Sequence, residues 1–344
     1  MATKIFSSVV RRIGIDLGSQ TVRFWTDTDG IVLEQPCILA VERSTKKVLA
    51  VGDDALAMVG RVGEGVVLTR PVVAGRITDL KAAEVLLKAF LQQLVTRLAL
   101  ISPVMMVSVP AQSSTADRLV ATRLLYNLGA RQVFTISQPL AASIGAGVPI
   151  ADASGCFLLH LGAGVVESVV VSLGSVVGRQ ASQYAGSYLE RRLQYALKKE
   201  YSLSISTRIA RKLLQELVTL NKQERSIAIT GKDLKTARPK EVMVENTVLQ
   251  PEVFAVVERY EQLLKELLSD VQPELTVDVI DKGLLLSGGL ATIDGFAEYL
   301  TNNMGIPVSV VDTPDQAVIA GIGTALEHLE LFKESLAYQY AVEQ

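Results

Sequence analysis

Apolar positions along this chain recur with two different periods, and the switches between them mark out its elements. Short apolar runs at Ile13–Asp16 and Val22–Trp25, joined by Leu17-Gly18-Ser19-Gln20, predict two strands linked by a tight turn. From Leu80 to Leu98 the spacing becomes helical, through Val85, Leu86, Ala89, Phe90, Leu94 and Leu98, with Pro103 beyond. Val104–Val109 reads as a buried strand and Thr115–Leu128 as an amphipathic helix stopped by Gly129. Val133–Ser137 is a further strand, and Pro139 opens a helix at a position that suits proline. Helices are also predicted over Leu189–Tyr201, Ile209–Leu220, Glu252–Ser269, Ile293–Met304 and Pro314–Phe332, and strands at Leu284–Leu286 and Val308–Val311. The polar stretch Gly231–Asn246 reads as turns and short strands of a peripheral insertion. Strands alternating with helices predict an α/β fold.

Gly155–Gly178 is the one segment apolar enough to resemble a membrane span. It is interrupted by His160, Glu167 and several glycines, and β-branched residues dominate its second half. A span needs some 18 or more uninterrupted apolar residues, so strand–turn–strand is the better reading. That reading exposes an internal repeat. Ile15-Asp16-Leu17-Gly18-Ser19-Gln20-Thr21-Val22 is echoed by Leu159-His160-Leu161-Gly162-Ala163-Gly164-Val165-Val166. Each copy is strand, Leu-Gly turn, strand, which predicts two related lobes. A tight glycine turn directs backbone N–H groups into a concavity that suits anions. Two such turns facing each other across a cleft would clamp a polyphosphate. A carboxylate at the strand end, Asp16 in the first copy, would then position Mg²⁺ through its water shell. The second copy has His160 at that place. The plainer alternative is a pair of ordinary hairpins in two sheet cores.

Composition narrows the class. The 344 residues are 49% hydrophobic and 20% charged, enough to bury large cores and too many for one. Lys and Arg total 34 against 36 Asp and Glu, a net charge of −2, which leaves no global field for a nucleic-acid backbone. Two cysteines, Cys37 and Cys156, in apolar surroundings fit a reducing cytoplasm. Two histidines, His160 and His328, leave no basis for a Cys/His zinc site. Met1–Arg12 has neither the apolar core nor the cleavage site of a secretory signal.

The passage Ile13-Gly-Ile-Asp-Leu-Gly-Ser-Gln-Thr21 resembles the first phosphate loop of the actin superfamily, and most of the chain, roughly residues 12 to 335, resembles its bacterial member MreB. The similar passages are Leu68-Thr-Arg-Pro71 through Gly75-Arg-Ile-Thr-Asp79, Val107-Ser-Val-Pro110, Leu128-Gly-Ala-Arg131, Gln138 through Pro149, Gly283-Leu-Leu-Leu-Ser-Gly-Gly289, Gly305-Ile-Pro-Val308 and Ala320 through Glu327. The resemblance implies an actin-like fold of two lobes, each a mixed sheet flanked by helices with a smaller inserted subdomain. Lobe I would span residues 1–150, with its insertion at roughly 35–75; lobe II would span 151–344, with its insertion at roughly 187–250. It further implies ATP or ADP bound with Mg²⁺, and head-to-tail filaments of the chain with itself. These would lie on the cytoplasmic face of the inner membrane and act with wall-synthesis proteins and possible conventional MreB paralogues.

Carried over position by position, the resemblance places Gly18, Ser19, Gln20 and Thr21 in the first phosphate loop, with Asp16 on the metal through water. Gly162, Ala163 and Gly164 form the second loop, Gly186 follows it, and Gly288, Gly289 and Leu290 form the adenosine loop. Gln138 stands where the family has a glutamate that serves hydrolysis, a change actin shares. The second loop normally reads Asp-x-Gly-Gly-Gly-Thr, whereas this chain has His160-Leu-Gly-Ala-Gly-Val165. Ser187 replaces an aspartate and Leu290 a glycine. Aligned without gaps, Arg211 and Lys212 replace two glutamates that face the ribose and base. Imidazole is a poor ligand for Mg²⁺, and near its unperturbed pKa of about 6.5 it becomes a cation that repels the metal. Hydrolysis depends on positioning and charge neutralisation, so it is expected to be weak or absent with some nucleotide binding retained. Two other outcomes stay open: a nucleotide-free scaffold or co-assembly partner, and ordinary turnover by compensation. His160 itself has two readings, a hydrogen bond to a terminal phosphate or a buried imidazole satisfied by a backbone carbonyl. A small-molecule kinase on the same fold would need a carboxylate base that the second copy does not offer. A chaperone-type ATPase would need a peptide-binding domain after the matched region.

Ile5, Phe6, Val9 and Val10 give the N-terminal segment one apolar helical face flanked by basic residues, the pattern of an interfacial anchor. Leu98-Ala-Leu-Ile101 is a second candidate insertion point. A frayed terminus and ordinary core packing are the respective alternatives. The basic residues between Arg191 and Lys212 read as a solvated face.

Overall fold

A computed structural model describes residues 11–94, 102–149 and 152–332. Contacts divide the chain into two units: Asp152–Asp315, and the residues before it together with those from Gln316 onward. Ile5, Phe6, Val9, Val10 and the Leu98–Ile101 turn lie outside the described residues.

The first unit contains β1 (Arg12–Leu17), β2 (Thr21–Thr26), β3 (Gly30–Pro36), β4 (Leu39–Glu42), β5 (Val48–Val51), α1 (Gly52–Ala57), β6 (Val66–Thr69), β7 (Val72–Val73) and β8 (Arg76–Ile77). It continues with α2 (Leu80–Leu94), β9 (Val104–Val109), α3 (Thr115–Asn127), β10 (Gln132–Ser137) and α4 (Gln138–Gly145). Its main sheet has the order β10-β9-β1-β2-β3, antiparallel through the β1–β2–β3 meander and parallel from β1 outward to β10. A small sheet β5-β4-β6 and the ribbon β7–β8 complete the strands. Ile13, Ile15 and Phe24 from the meander pack with Leu86, Leu87 and Phe90 of α2 and with Leu124 and Leu125 of α3. The Phe24 and Phe90 rings meet edge to face, 6.4 Å between centroids.

The second unit contains β11 (Cys156–Leu161), β12 (Val166–Ser172), β13 (Ser175–Ser182), α5 (Gly186–Tyr201), β14 (Leu203–Ser204), α6 (Thr207–Glu216), β15 (Ser226–Asp233) and β16 (Pro239–Glu245). Then follow α7 (Asn246–Asp270), α8 (Pro273–Lys282), β17 (Leu284–Ser287), a 3₁₀ turn (Gly289–Thr292), α9 (Phe296–Met304) and β18 (Val308–Val310). Its main sheet, β13-β12-β11-β17-β18, repeats the first: an antiparallel meander of three, then two parallel strands. Leu189, Leu193 and Leu197 on α5 and Val253, Val257, Tyr260 and Leu264 on α7 supply its core. Residues 203–245 carry the three-stranded sheet β14-β15-β16.

The last helices, α10 (Ala317–Glu327) and α11 (Leu329–Phe332), complete the described chain. Although residues 151–344 were expected together, α10 belongs to the first unit. Glycines explain how closely it fits there. A Cβ on Gly321 would fall 1.7 Å from the carbonyl oxygen of Ala141, and one on Gly145 would fall 2.0 Å from that of Ala317. Backbone therefore lies on backbone where α10 crosses α4, and Ile322 on the same helix reaches Gly14 of β1.

Other departures have local causes. The helix predicted over Ile293–Met304 is broken at Gly295, whose φ of +77° lies in the left-handed region and whose Hα side abuts Asn221. The Gly231–Asn246 stretch forms the continuous hairpin β15–β16, paired from Ser226–Glu245 to Lys232–Pro239. Helix α7 begins well before the predicted Glu252 and carries Pro251 inside it. Gly155–Gly178 opens as the expected strand, turn and strand and then turns again into the start of β13, and among the described residues no helix is long and apolar enough to cross a membrane.

Candidate functional site

Each main sheet ends its first hairpin in a glycine turn. In the first unit, the Gly18 N–H donates to the Thr21 carbonyl at 3.0 Å, and a Cβ on Gly18 would lie 2.7 Å from that same oxygen. Glycine is thus required by space. Ser19 Oγ accepts from the Gly75 N–H at 2.9 Å and the Gln20 carbonyl from the Cys37 N–H at 2.8 Å, so the turn is tied to two later segments. Asp16 sits at the strand end, buried, with Oδ1 accepting from Ser108 Oγ on β9 at 2.8 Å. Arg23, its cross-strand partner on β2, comes within 3.7 Å and also grips Glu34 on β3 through two hydrogen bonds. Burial pushes the Asp16 carboxyl above its ordinary range, and the opposing pull of Arg23 and Ser108 does not offset it.

The second unit builds the same turn with different chemistry. The Gly162 N–H donates to the Val165 carbonyl at 3.1 Å, and a Cβ on Gly162 would meet that oxygen at 2.6 Å. The start of α5 closes on the turn: Gly186 N–H donates to the Gly162 carbonyl at 3.1 Å and Ser187 N–H to that of Ala163 at 2.8 Å. A Cβ on Gly186 would be 3.3 Å from Ala163 Cα and 3.6 Å from the Leu290 side chain. Gly288, at φ +89°, lies against the Leu161 backbone, where a Cβ would be 2.5 Å from its carbonyl oxygen. Gly162, Ala163, Gly186, Gly288 and Leu290 are therefore gathered at one end of this sheet. His160 occupies the position of Asp16. It is buried, its Nδ1 is 3.0 Å from Ser287 Oγ on β17, and Glu167 on β12 stands directly opposite in the antiparallel register.

The sequence profile of the MreB/Mbl protein family matches residues 10–334. The chain belongs to the MreB/Mbl family. Cell shape-determining protein Mbl of Bacillus subtilis (strain 168) is 30% identical over 322 residues, covering 93% of this chain and 97% of that protein. Cell shape-determining protein MreB of Escherichia coli (strain K12) is 28% identical over 326 residues, covering 93% and 94%. Among solved structures, MreB5 of Spiroplasma citri bound to ADP superposes with a TM-score of 0.89 at 24% identity, over 95% of this chain and 99% of that one. A double helical filament of MamK superposes with a TM-score of 0.79 at 16% identity, over 92% and 99%. The fold is accordingly the actin-like one of MreB structures.

The other residues singled out for this MreB/Mbl member fall into two groups. Gln138 is buried at the first position of α4, directly after β10. Gly164 completes the second turn and Gly289 opens the 3₁₀ turn after β17. Arg211 and Lys212, by contrast, are engaged in protein ion pairs. Arg211 Nε donates to the buried Glu190 on α5 at 2.8 Å, and Lys212 pairs along α6 with Glu216 at 3.6 Å. The sequence assigns no role to Glu190, Ser108 or Ser287, and reads Glu167 only as a polar break in an apolar segment. Their signal is a lone polar residue inside an apolar strand or helix face, as in Val107-Ser108-Val109 and Leu286-Ser287-Gly288.

Magnesium does not fit the second turn. The ion wants oxygen ligands at octahedral geometry. The turn residue there is an imidazole held by a serine, and the carboxylate in its row, Glu167, is wholly buried on the neighbouring strand. Among the described residues no group of three or more His, Cys, Asp and Glu side chains is placed to hold a metal ion.

Proposed function

We propose that this chain is a cytoskeletal filament protein of the MreB type that binds adenine nucleotide at its glycine turns and hydrolyses it weakly or not at all. The observation that carries the reading is the pair of glycine turns in sheets of one topology, with His160 in the second where the first has Asp16. Family membership across residues 10–334 supports a role in cell shape, as in the Mbl and MreB relatives. The Spiroplasma citri MreB5 structures with ADP and AMPPNP support nucleotide as the ligand, and the MamK filament supports self-assembly. Loss of a metal-orienting carboxylate supports slow hydrolysis, since phosphoryl transfer rests on charge neutralisation. Filaments on the cytoplasmic side of the inner membrane, touching it through the N-terminal segment and multiplying that weak contact by avidity, complete the proposal.

The Arg211–Glu190 pair favours a second reading, a nucleotide-free scaffold that co-assembles with a conventional MreB, because it commits the arginine to the protein. Incubation of the purified chain with ATP and magnesium separates the two. Retained nucleotide, phosphate release near the buffer background and filaments in electron micrographs are expected. Filaments with no retained nucleotide would favour the scaffold. Robust phosphate release that His160→Ala abolishes would overturn slow hydrolysis.

A further inference from the structure

The chain as a whole carries a net charge of −2, yet the tip of the β15–β16 hairpin is strongly basic. Between Gly231 and Lys240 stand Lys232, Lys235, Arg238 and Lys240 against the single acid Asp233. Asp233 is turned into the tip. Its carboxylate accepts from the N–H groups of Lys235 at 2.7 Å and Thr236 at 3.0 Å, and pairs with Lys240 at 3.7 Å. Lys232, Lys235 and Arg238 are exposed and make no ion pair among the described residues. The last turn of α5, with exposed Lys198 and Lys199 and the acid Glu200 beside them, ends against the same tip. The Leu234 N–H donates to the Ser202 carbonyl at 2.9 Å, and Lys240 Nζ to that of Tyr201 at 3.0 Å.

Among these cations sits an apolar side chain: Leu234 is 44% exposed, and residues 234–239 are all on the surface. The turn that carries it needs little from water. The Asp233 N–H donates to the Arg238 carbonyl and the Ala237 N–H to the Asp233 carbonyl, both at 2.9 Å, so every N–H from Asp233 to Ala237 has an acceptor inside the protein. No amide of the apex is left unpaired when the turn leaves water, which removes the usual penalty for burying a loop. A surface that is anionic outside and apolar just beneath matches a leucine flanked by cations. An acidic protein segment would match the charges and leave the leucine in water.

We infer that the β15–β16 hairpin tip docks on an anionic phospholipid surface, with Lys232, Lys235 and Arg238 against headgroup phosphates and Leu234 entering the boundary between headgroups and acyl chains. The inference rests on the membrane-associated reading above and adds a contact independent of the N-terminal segment. Each basic side chain close to an anionic bilayer strengthens binding about fivefold, so three together are worth on the order of a hundredfold. That gain fades with salt, because the attraction reaches only about 10 Å at 0.1 M. One hairpin binds weakly, and a filament repeats it.

Leu234→Trp in the full chain supplies a reporter, because Trp25, the sole native tryptophan, is buried. The protein is mixed with vesicles of phosphatidylcholine containing phosphatidylglycerol, or of phosphatidylcholine alone, and both sedimentation and indole emission are read. The introduced indole is expected to shift to shorter wavelength on the anionic vesicles only. The combined variant Lys232→Gln, Lys235→Gln, Arg238→Gln is expected to sediment with those vesicles at least about tenfold more weakly than the native chain. Sedimentation with no shift in emission, or a folded charge variant that binds as the native chain does, would overturn the inference and leave the N-terminal segment as the membrane contact. Absence of sedimentation would overturn both the inference and the membrane reading. A shift produced by soluble polyglutamate and not by vesicles would overturn it in favour of an acidic protein partner. If the charge variant does not fold, the emission measurement decides.

Discussion

Gly321→Ala puts one methyl group where α10 rests on α4, and the geometry there allows its cost to be worked out. The new carbon would fall 1.7 Å from the Ala141 oxygen, 2.6 Å from its carbonyl carbon and 2.8 Å from the Gly145 nitrogen. All three are backbone atoms, so no rotamer change relieves the clash. Ordinary contact begins near 3.4 Å, and the helices must part by about 1.7 Å to reach it. Retreat is blocked on the sheet side, because Ile322 and Gly323 of α10 already press on Gly14 and Trp25. Overpacking of this kind costs roughly 3 kcal/mol, the upper part of its usual range. In a unit of this size that lowers its melting temperature by about 6–12 °C. Differential scanning calorimetry of the full chain should show the transition of the first unit fall while that of the second holds. Gly63→Ala is the control, since a Cβ there meets nothing within 4 Å, and its effect should stay within about 0.5 kcal/mol. A Gly321→Ala protein that melts within about 1 °C of the native one would refute backbone contact between these helices.

Two further outcomes follow from the ion pairs. Arg211→Ala removes an ion-pair partner of the buried Glu190 carboxylate and should cost about 2 kcal/mol in urea unfolding, discounted from the full value for a buried pair because the arginine is one-third exposed; Lys212→Ala, on the surface, should cost under about 0.5 kcal/mol. Equal effects would place Arg211 elsewhere. For Asp16, the folded carboxyl titrates above its unfolded value of 3.8, so the native state keeps a proton that the unfolded chain has released. Its contribution to stability is therefore full below pH 3.8 and is lost as the pH rises through the raised folded value. Asp16→Asn removes that titration, and its melting temperature should match the native protein's at acid pH and exceed it at neutral pH. A gap that closes as the pH rises would reverse the sign of the argument.

Much of the fold could be read from the chain because the two glycine turns interrupt long apolar runs, and because the main helices carry clear stripes. Where reading stopped, the reason was physical. The strands β4 to β8 are two to four residues long and too short to show a period. Helix α8 leaves Val277 and Ile280 exposed and so carries no conventional stripe. Pro251 looks like a boundary but is accommodated inside α7, where it gives up one backbone hydrogen bond. At the site, the exchange of aspartate for His160 was legible from the repeat alone. Its partner Ser287 was not, since 127 residues separate them and only the parallel register of β11 and β17 brings them together. Arg211 was read toward a ligand because its neighbours in sequence gave no hint of Glu190, one helix earlier.

The placement of α10 also bears on how the molecule is made. Synthesis runs from the N-terminus, and the helix that covers α4 and β1 emerges only after every residue of Asp152–Asp315 has left the ribosome. The continuous unit can therefore finish folding while the discontinuous one still waits, with Gly14, Ala141 and Gly145 uncovered. The first glycine turn to be translated thus belongs to the last unit to close.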